Sequence, residues 1–177
     1  MEKDSIAVGI INRNKSLLNK ETKLLLYYSL VYPYLQYCNV VWGNASPTNL
    51  KPLLTKQKRA VRVINNAGFI DPTNNLPKSI KILKLQDIFN LESVKFVFEQ
   101  KSIPNPIITF THSNEFHNYH TRGNLLLRPP LPTIDLDKRF VKYSGCLSYN
   151  SLPNNIKSIG NKNTFKINAK KYLINKY

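Results

Sequence analysis

Residues 21–66 carry an apolar seam with a proline in the middle of it, and that pairing limits what the chain can fold into. Leu24, Tyr28, Val31, Leu35, Cys38 and Trp42 recur at alternating steps of four and three, which keeps side chains on one face of an α-helix. Pro33 falls inside the run, where it removes a hydrogen-bond donor and crowds the turn before it. The spacing therefore predicts one helix kinked near Pro33, or two half-helices meeting there. Trp42 closes the seam and is expected to be largely buried against the next helix. Gly43 ends the element, and Asn44-Ala45-Ser46-Pro47 makes a turn. Ser46, Thr48 and Asn49 all offer N-caps for a second helix. Pro52 fits only in a first turn, which favours a start at Thr48 or Asn49.

That second helix separates apolar from cationic residues. At about 100° per residue, Leu50, Leu53, Leu54, Gln57, Ala60, Val61 and Ile64 fall on one half of the wheel. Lys51, Lys56, Lys58, Arg59 and Arg62 fall on the other, with no acidic residue among them. Like charges three and four apart repel by a few tenths of a kcal/mol per pair. Such a face has either an anion near it in its working state or a large apolar face to outweigh the repulsion. A solvated cationic surface over a core-packing stripe is the plainer of these two readings.

Around this pair the remaining elements read more simply. Residues 4–15 suggest a short helix with Ile6, Ile10 and Ile11 on one side, followed by a polar connector through residue 20. Residues 66–79, with Gly68, Pro72 and Pro77 among asparagines, form a loop. Residues 80–101 are helical again, with Ile80, Leu83, Ile88, Leu91, Val94 and Phe98 inward and Asp87 as N-cap for the longer part. Pro104 and Pro106 stop that helix. Residues 107–137 hold Gly123, Pro129, Pro130 and Pro132 with little period, as a linker or domain edge would. Phe140-Val141-Lys142-Tyr143 is either a strand or the lead into a short helix ending at Leu152-Pro153. Thr164 caps a last helix, with Phe165, Ala169, Tyr172 and Leu173 inward and Lys166, Lys170, Lys171 and Lys176 outward. The expected architecture is mainly α: a helical bundle over residues 1–102, an extended Pro-rich linker over 103–139, and a small helical region over 140–177.

Charge narrows the class of partner. Lys and Arg outnumber Asp and Glu by 26 to 10 in 177 residues, for a net charge of +16. Such an excess favours polyanions, nucleic acid first and anionic membrane second. At 42% hydrophobic and 11% aromatic the chain has the material for a core. Cys38 and Cys146 are too few for a disulfide framework and are expected to be small buried side chains of a reducing compartment. Met1-Glu2-Lys3-Asp4 is wrong for a secretory signal, and no apolar run approaches the ~20 residues of a spanning helix. An intracellular protein, in cytoplasm or nucleus, is the expectation.

The order of motifs is itself distinctive. Tyr32-Pro33-Tyr34-Leu35, Val41-Trp42-Gly43 and Gln57-Lys58-Arg59-Ala60-Val61-Arg62 are followed by Ile82-Leu83-Lys84-Leu85-Gln86-Asp87-Ile88. Asn118-Tyr119-His120-Thr121-Arg122 and Tyr149-Asn150-Ser151-Leu152-Pro153 come next. This succession resembles the region downstream of the polymerase palm in non-LTR retrotransposon reverse transcriptases of the LINE and jockey-like kind, over nearly the whole chain. The resemblance implies a thumb-like helical region gripping a template–primer duplex or the element's own RNA. It also implies a truncated reading frame, because the catalytic palm lies upstream of the matched region.

Chemistry of its own is hard to find in the chain. Nucleotidyl transfer needs two metal ions held by a set of Asp and Glu side chains, and the family carries an adjacent Asp pair. Here no two acidic residues are adjacent, and Asp135-Leu136-Asp137, the nearest approach, reads as a loop charge pair. The chain is therefore not expected to be an enzyme on its own, but a remnant of an RNA-directed DNA polymerase. His112, His117 and His120 have no Cys and no well-placed carboxylate beyond Glu115 nearby, short of the four ligands of a structural zinc. Cys146 has no recognisable His and Asp partners, and six scattered glycines make no phosphate-cradling loop. No cofactor, metal or small-molecule substrate is expected. Tyr27, Tyr28, Tyr32, Tyr34, Tyr37 and Trp42 could stack on bases, although helical spacing favours the core for most of them. The candidate nucleic-acid-binding residues are Lys51, Lys56, Lys58, Arg59, Arg62 and Arg122. The competing expectation is a helical scaffold or oligomerisation module whose charge only keeps it dissolved.

Overall fold

A computed structural model describes residues 2–73, 76–115 and 126–176. It is mainly α-helical, and among the described residues the only β pairing is an isolated antiparallel bridge between His112 and Leu127. In chain order the helices are α1 (Glu2–Arg13), α2 (Lys20–Leu26), α3 (Tyr32–Gln36), α4 (Asn39–Trp42), α5 (Pro47–Ile64), α6 (Leu76–Ser79), α7 (Leu85–Ser102), α8 (Val141–Asn150), α9 (Asn154–Lys157) and α10 (Lys162–Asn175). A π-helical turn, Tyr27–Val31, joins α2 to α3.

The seam differs from its predicted register. The buried positions are Lys23, Tyr27, Val31, Leu35 and Asn39, a strict step of four, while Leu24, Tyr28 and Trp42 are only half-buried. In a regular α-helix each step of four rotates the side chain by about 40° away from the face. The π turn supplies the correction: the Tyr32 N–H reaches back five residues to the Tyr27 carbonyl, and this wider turn keeps every fourth residue inward. The same turn precedes Pro33, whose missing N–H is thus placed where the α-helical ladder is already interrupted. The sharp break comes later, at Cys38, which has φ 48°. Cys38 is exposed, contrary to expectation, and Cys146 alone is buried. Burial pushes the Cys146 thiol up to about 11.

Trp42 packs from one side only, donating its indole N–H to the Tyr37 carbonyl at 2.7 Å. Its short helix lies on α7 rather than on α5. Gly43 is needed for this approach, since a Cβ there would sit 2.6 Å from the Asn39 carbonyl oxygen and 2.7 Å from the Phe89 ring.

Helix α7 is the true centre. It packs against α3, α4, α5, α8 and α10 and buries Leu85, Ile88, Phe89, Leu91, Ser93, Val94, Val97 and Gln100. These positions surround the helix, as expected for one enclosed by neighbours. It begins at Leu85 rather than near residue 80, and Asp87 lies in its first turn instead of capping it. Lys81 adopts φ 54°, so the chain turns before the helix starts while Ile80, Ile82 and Leu83 remain buried.

Other boundaries shift for local reasons. In α1 it is Ala7, Val8 and Ile11 that face the core, while Ile6 and Ile10 are exposed. The cap of α10 is Asn161, whose side chain accepts from the Asn163 and Thr164 amides, so Thr164 lies within the first turn. Lys170, expected outward, is half-buried over the Tyr28 ring at 5.2 Å. Desolvation there, then the nearby Lys166, lowers its pKa.

The Pro-rich stretch is tied back to the helices. The Gln100 side-chain oxygen accepts from the Ile107 and Ile108 amides, at 2.7 and 3.2 Å. The Asn150 amide pairs with both backbone groups of Leu127, at 2.9 and 2.8 Å. Leu127, Cys146, Tyr149, Phe165, Ala169 and Leu173 belong to the same apolar core as Tyr27, Val61 and Leu91. Helices α8 and α10 thus pack onto α7 as part of one core.

Candidate nucleic-acid interface

Helix α5 starts at Pro47, with Ser46 as its cap residue, which is earlier than Pro52 suggested. Pro52 therefore lies in the second turn. It and Thr48 are both exposed, so the Thr48 carbonyl that loses its amide partner remains open to water. Leu50, Gln57, Ala60, Val61, Val63 and Ile64 are buried, and the helix ends in a Schellman motif. There Asn66, at φ 54°, donates to the Val63 carbonyl while the Ala67 amide reaches Arg62. Buried Lys23 donates to the Asn66 side-chain oxygen at 2.6 Å, near a helix C-terminus whose carbonyls favour a cation.

Gln57, inside the basic motif, has a structural task. Its Nε2 donates to the Leu83 carbonyl at 2.9 Å and lies 3.2 Å from the Tyr27 hydroxyl, while its Oε1 accepts from the Leu85 amide at 2.9 Å. One side chain thus joins the π turn, α5 and the start of α7.

The five cations of α5 do not form one patch. Lys51, Lys58 and Arg62 fall within about 40° of one another along about 16 Å of helix, with Arg59 beside them. Lys56 lies about 140° from Lys51 and has an intramolecular interaction of its own. Arg59 and Arg62 line a concavity of about 590 Å³ with Asn12 of α1, with Lys15, Ser16 and Leu18 from the α1–α2 connection, and with Asn66, Ala67 and Phe69 from the loop after α5. Lys58 instead lines a smaller hollow of about 240 Å³ with Lys84 and Thr73. Arg122 lies outside the described residues, as do His117, His120 and the rest of the motif around them.

The basic side is short of counter-charges. The ion pairs among the described residues are Glu92–Lys95, Asp135–Lys138 and Glu99–Lys162. None involves Lys15, Lys51, Lys58 or Arg59. Arg62 uses its Nε to hold the Asp71 carbonyl at 2.9 Å.

Lys15 and Phe69 were missed as site residues because Lys15 joins Arg59 only through the packing of α1 on α5, and Phe69 only through the fold of the loop after α5. The one sequence signal was the apolar pair Phe69-Ile70 in an otherwise polar loop. Of the aromatics, Tyr27 is buried, Tyr28, Tyr32 and Trp42 are half-buried, and Tyr34 and Tyr37 are exposed. Burial, then Glu92, pushes the Tyr32 phenol up to about 12.

The remaining carboxylates near the Pro-rich stretch are engaged locally. Asp135 accepts from Lys138 at 2.7 Å, a hydrogen bond that lowers its pKa, and Asp137 accepts the Thr133 and Ile134 amides. Among the described residues no cluster of three His, Cys, Asp or Glu is placed to hold a metal, and no helix is long and apolar enough to cross a membrane. Comparison with family models, with curated proteins and with solved structures finds no match to this chain.

Proposed function

We propose that this chain is the basic, nucleic-acid-gripping helical region of a non-LTR retrotransposon reverse transcriptase, its thumb and the stretch beyond. The observation that carries the reading is α5. Its apolar face is consumed by the core, while Lys51, Lys58 and Arg59 stand exposed without a carboxylate partner among the described residues. Uncompensated like charges on one helix are tolerated at a cost that a phosphate backbone would remove.

The reading predicts a salt-dependent, sequence-independent affinity. On duplex DNA, log K falls with log salt by about 0.9 per neutralised phosphate. Replacing Lys51, Lys58 and Arg59 together by Gln keeps helix propensity and spares the Arg62–Asp71 bond. The triple variant should bind unrelated sequences more weakly, with a slope flatter by roughly two to three units. Unchanged affinity and slope, with unchanged circular dichroism, would reject the proposal in favour of a scaffold. A scaffold has its own supporting feature: an apolar cleft of about 660 Å³ lined by Val40, Val41, Phe96, Leu131 and Phe140, among others.

By the same reading the chain performs no nucleotidyl transfer alone, because no acidic pair suited to two metal ions is present in its sequence. Purified protein given primer–template, dNTPs and Mg²⁺ or Mn²⁺ should incorporate nothing above a no-protein control. Incorporation that survives removal of contaminants would overturn this.

A further inference from the structure

Phe69 is 81% exposed and Ile70 90% exposed, yet the loop that carries them is built rather than loose. The Asp71 amide bonds to the Gly68 carbonyl at 3.3 Å, and the Asp71 carboxylate accepts from the Gly68 amide at 2.6 Å. Arg62 holds the same segment from α5 through the Asp71 carbonyl, and the Schellman motif fixes the chain just upstream. Two large apolar side chains are thus presented at the tip of a closed turn, where water gains nothing from them. Phe69 lines the concavity that also holds Lys15, Arg59 and Arg62.

A ring beside three cations in one hollow is the combination single-stranded nucleic acid requires, since a base has a π face to stack and a phosphate to neutralise. We propose that this concavity binds single-stranded nucleic acid, with a base stacked on Phe69 and adjacent phosphates on Lys15, Arg59 and Arg62. Asn66 adds a hydrogen-bond donor: Lys23 occupies its side-chain oxygen, leaving the amide nitrogen to meet a base edge or a hydroxyl. A duplex cannot use the ring in the same way, because its bases are already stacked on one another and exposing one is costly. The proposal rests on the nucleic-acid reading above and adds to it a strand preference and an aromatic contact.

The experiment compares a labelled oligothymidine with a labelled duplex of equal length, by fluorescence anisotropy at low salt. Phe69→Ala should weaken oligothymidine binding about 5- to 100-fold, the equivalent of roughly 1–3 kcal/mol of stacking, and leave duplex affinity unchanged. Phe69→Tyr should retain wild-type affinity. Arg59→Gln should flatten the single-strand salt slope by about 0.7. The side chain at 69 is exposed, so circular dichroism should be the same in all of these proteins. If wild-type protein binds neither probe, the nucleic-acid reading fails and takes this proposal with it. If it binds both and Phe69→Ala alters neither, or weakens both equally, the stacking site is wrong while nucleic-acid binding stands.

Discussion

Gln57→Leu should cost the protein about 3–6 kcal/mol, because it strips partners from buried groups on two other elements at once. The Leu85 amide, the Leu83 carbonyl and the Tyr27 hydroxyl all meet this one side chain, and Gln57 is only 5% exposed. A buried polar group left without a partner costs about 1–3 kcal/mol. Leucine restores the volume but none of the bonds, so the loss is polar rather than steric. Against an ordinary stability of about 5–15 kcal/mol, the variant should unfold at markedly lower urea. Gln57→Glu, which can accept but not donate, should also destabilise, since its charge would be buried facing the Leu83 carbonyl. A loss below about 1 kcal/mol in either variant, the size of one ordinary net hydrogen bond, would show that the three contacts do not support the core.

Phe165→Ala should cost a similar amount, about 3–5 kcal/mol for a fully buried aromatic, and its effect should spread. Phe165 is 0% exposed, stacks on Phe98 of α7 at 4.4 Å between ring centroids, and lies 6.3 Å from Tyr149. Because these rings belong to the core that also contains Tyr27 and Val61, the two ends of the chain should unfold together. Trp42 reports from α4, on the far side of α7 in the chain's order, and is the only tryptophan. Its fluorescence transition and the far-UV dichroism transition should coincide and move to lower urea by the same amount. A Trp42 transition left at its wild-type midpoint while the helical signal splits into two phases would mean that residues 140–177 fold separately.

Much of the helical architecture was legible because it is written in local periodicity. The inward and outward halves of α5, the inward set Phe165, Ala169, Tyr172 and Leu173 of α10, and the stops at Gly43 and after Ser102 each follow from residues within a few turns. Charge was legible for the same reason, since a run such as Lys58-Arg59 next to Ala60-Val61 cannot bury both kinds of side chain on one helix.

What failed was what depends on neighbours distant in sequence. The centrality of α7 was hidden because a helix enclosed on several sides has no polar face to mark its apolar one. The seam slipped from Leu24, Tyr28 and Trp42 to Lys23, Tyr27 and Asn39 because the π turn ahead of Pro33 changed the period, and period is what the eye reads. Lys23 could be inside only because Asn66 and the end of α5 meet it there. The candidate site divides along the same line. Arg59 and Arg62 were on an exposed cationic face by sequence alone. Their grouping with Lys15 and Phe69, and the separation of Lys58 and Lys56 from them, was decided by how α1 and the loop after α5 pack around that helix. Sequence determined that the cations of α5 had to face water, through the strong and local cost of burying charge; tertiary structure decided which of them share one hollow, through contacts that no local pattern encodes.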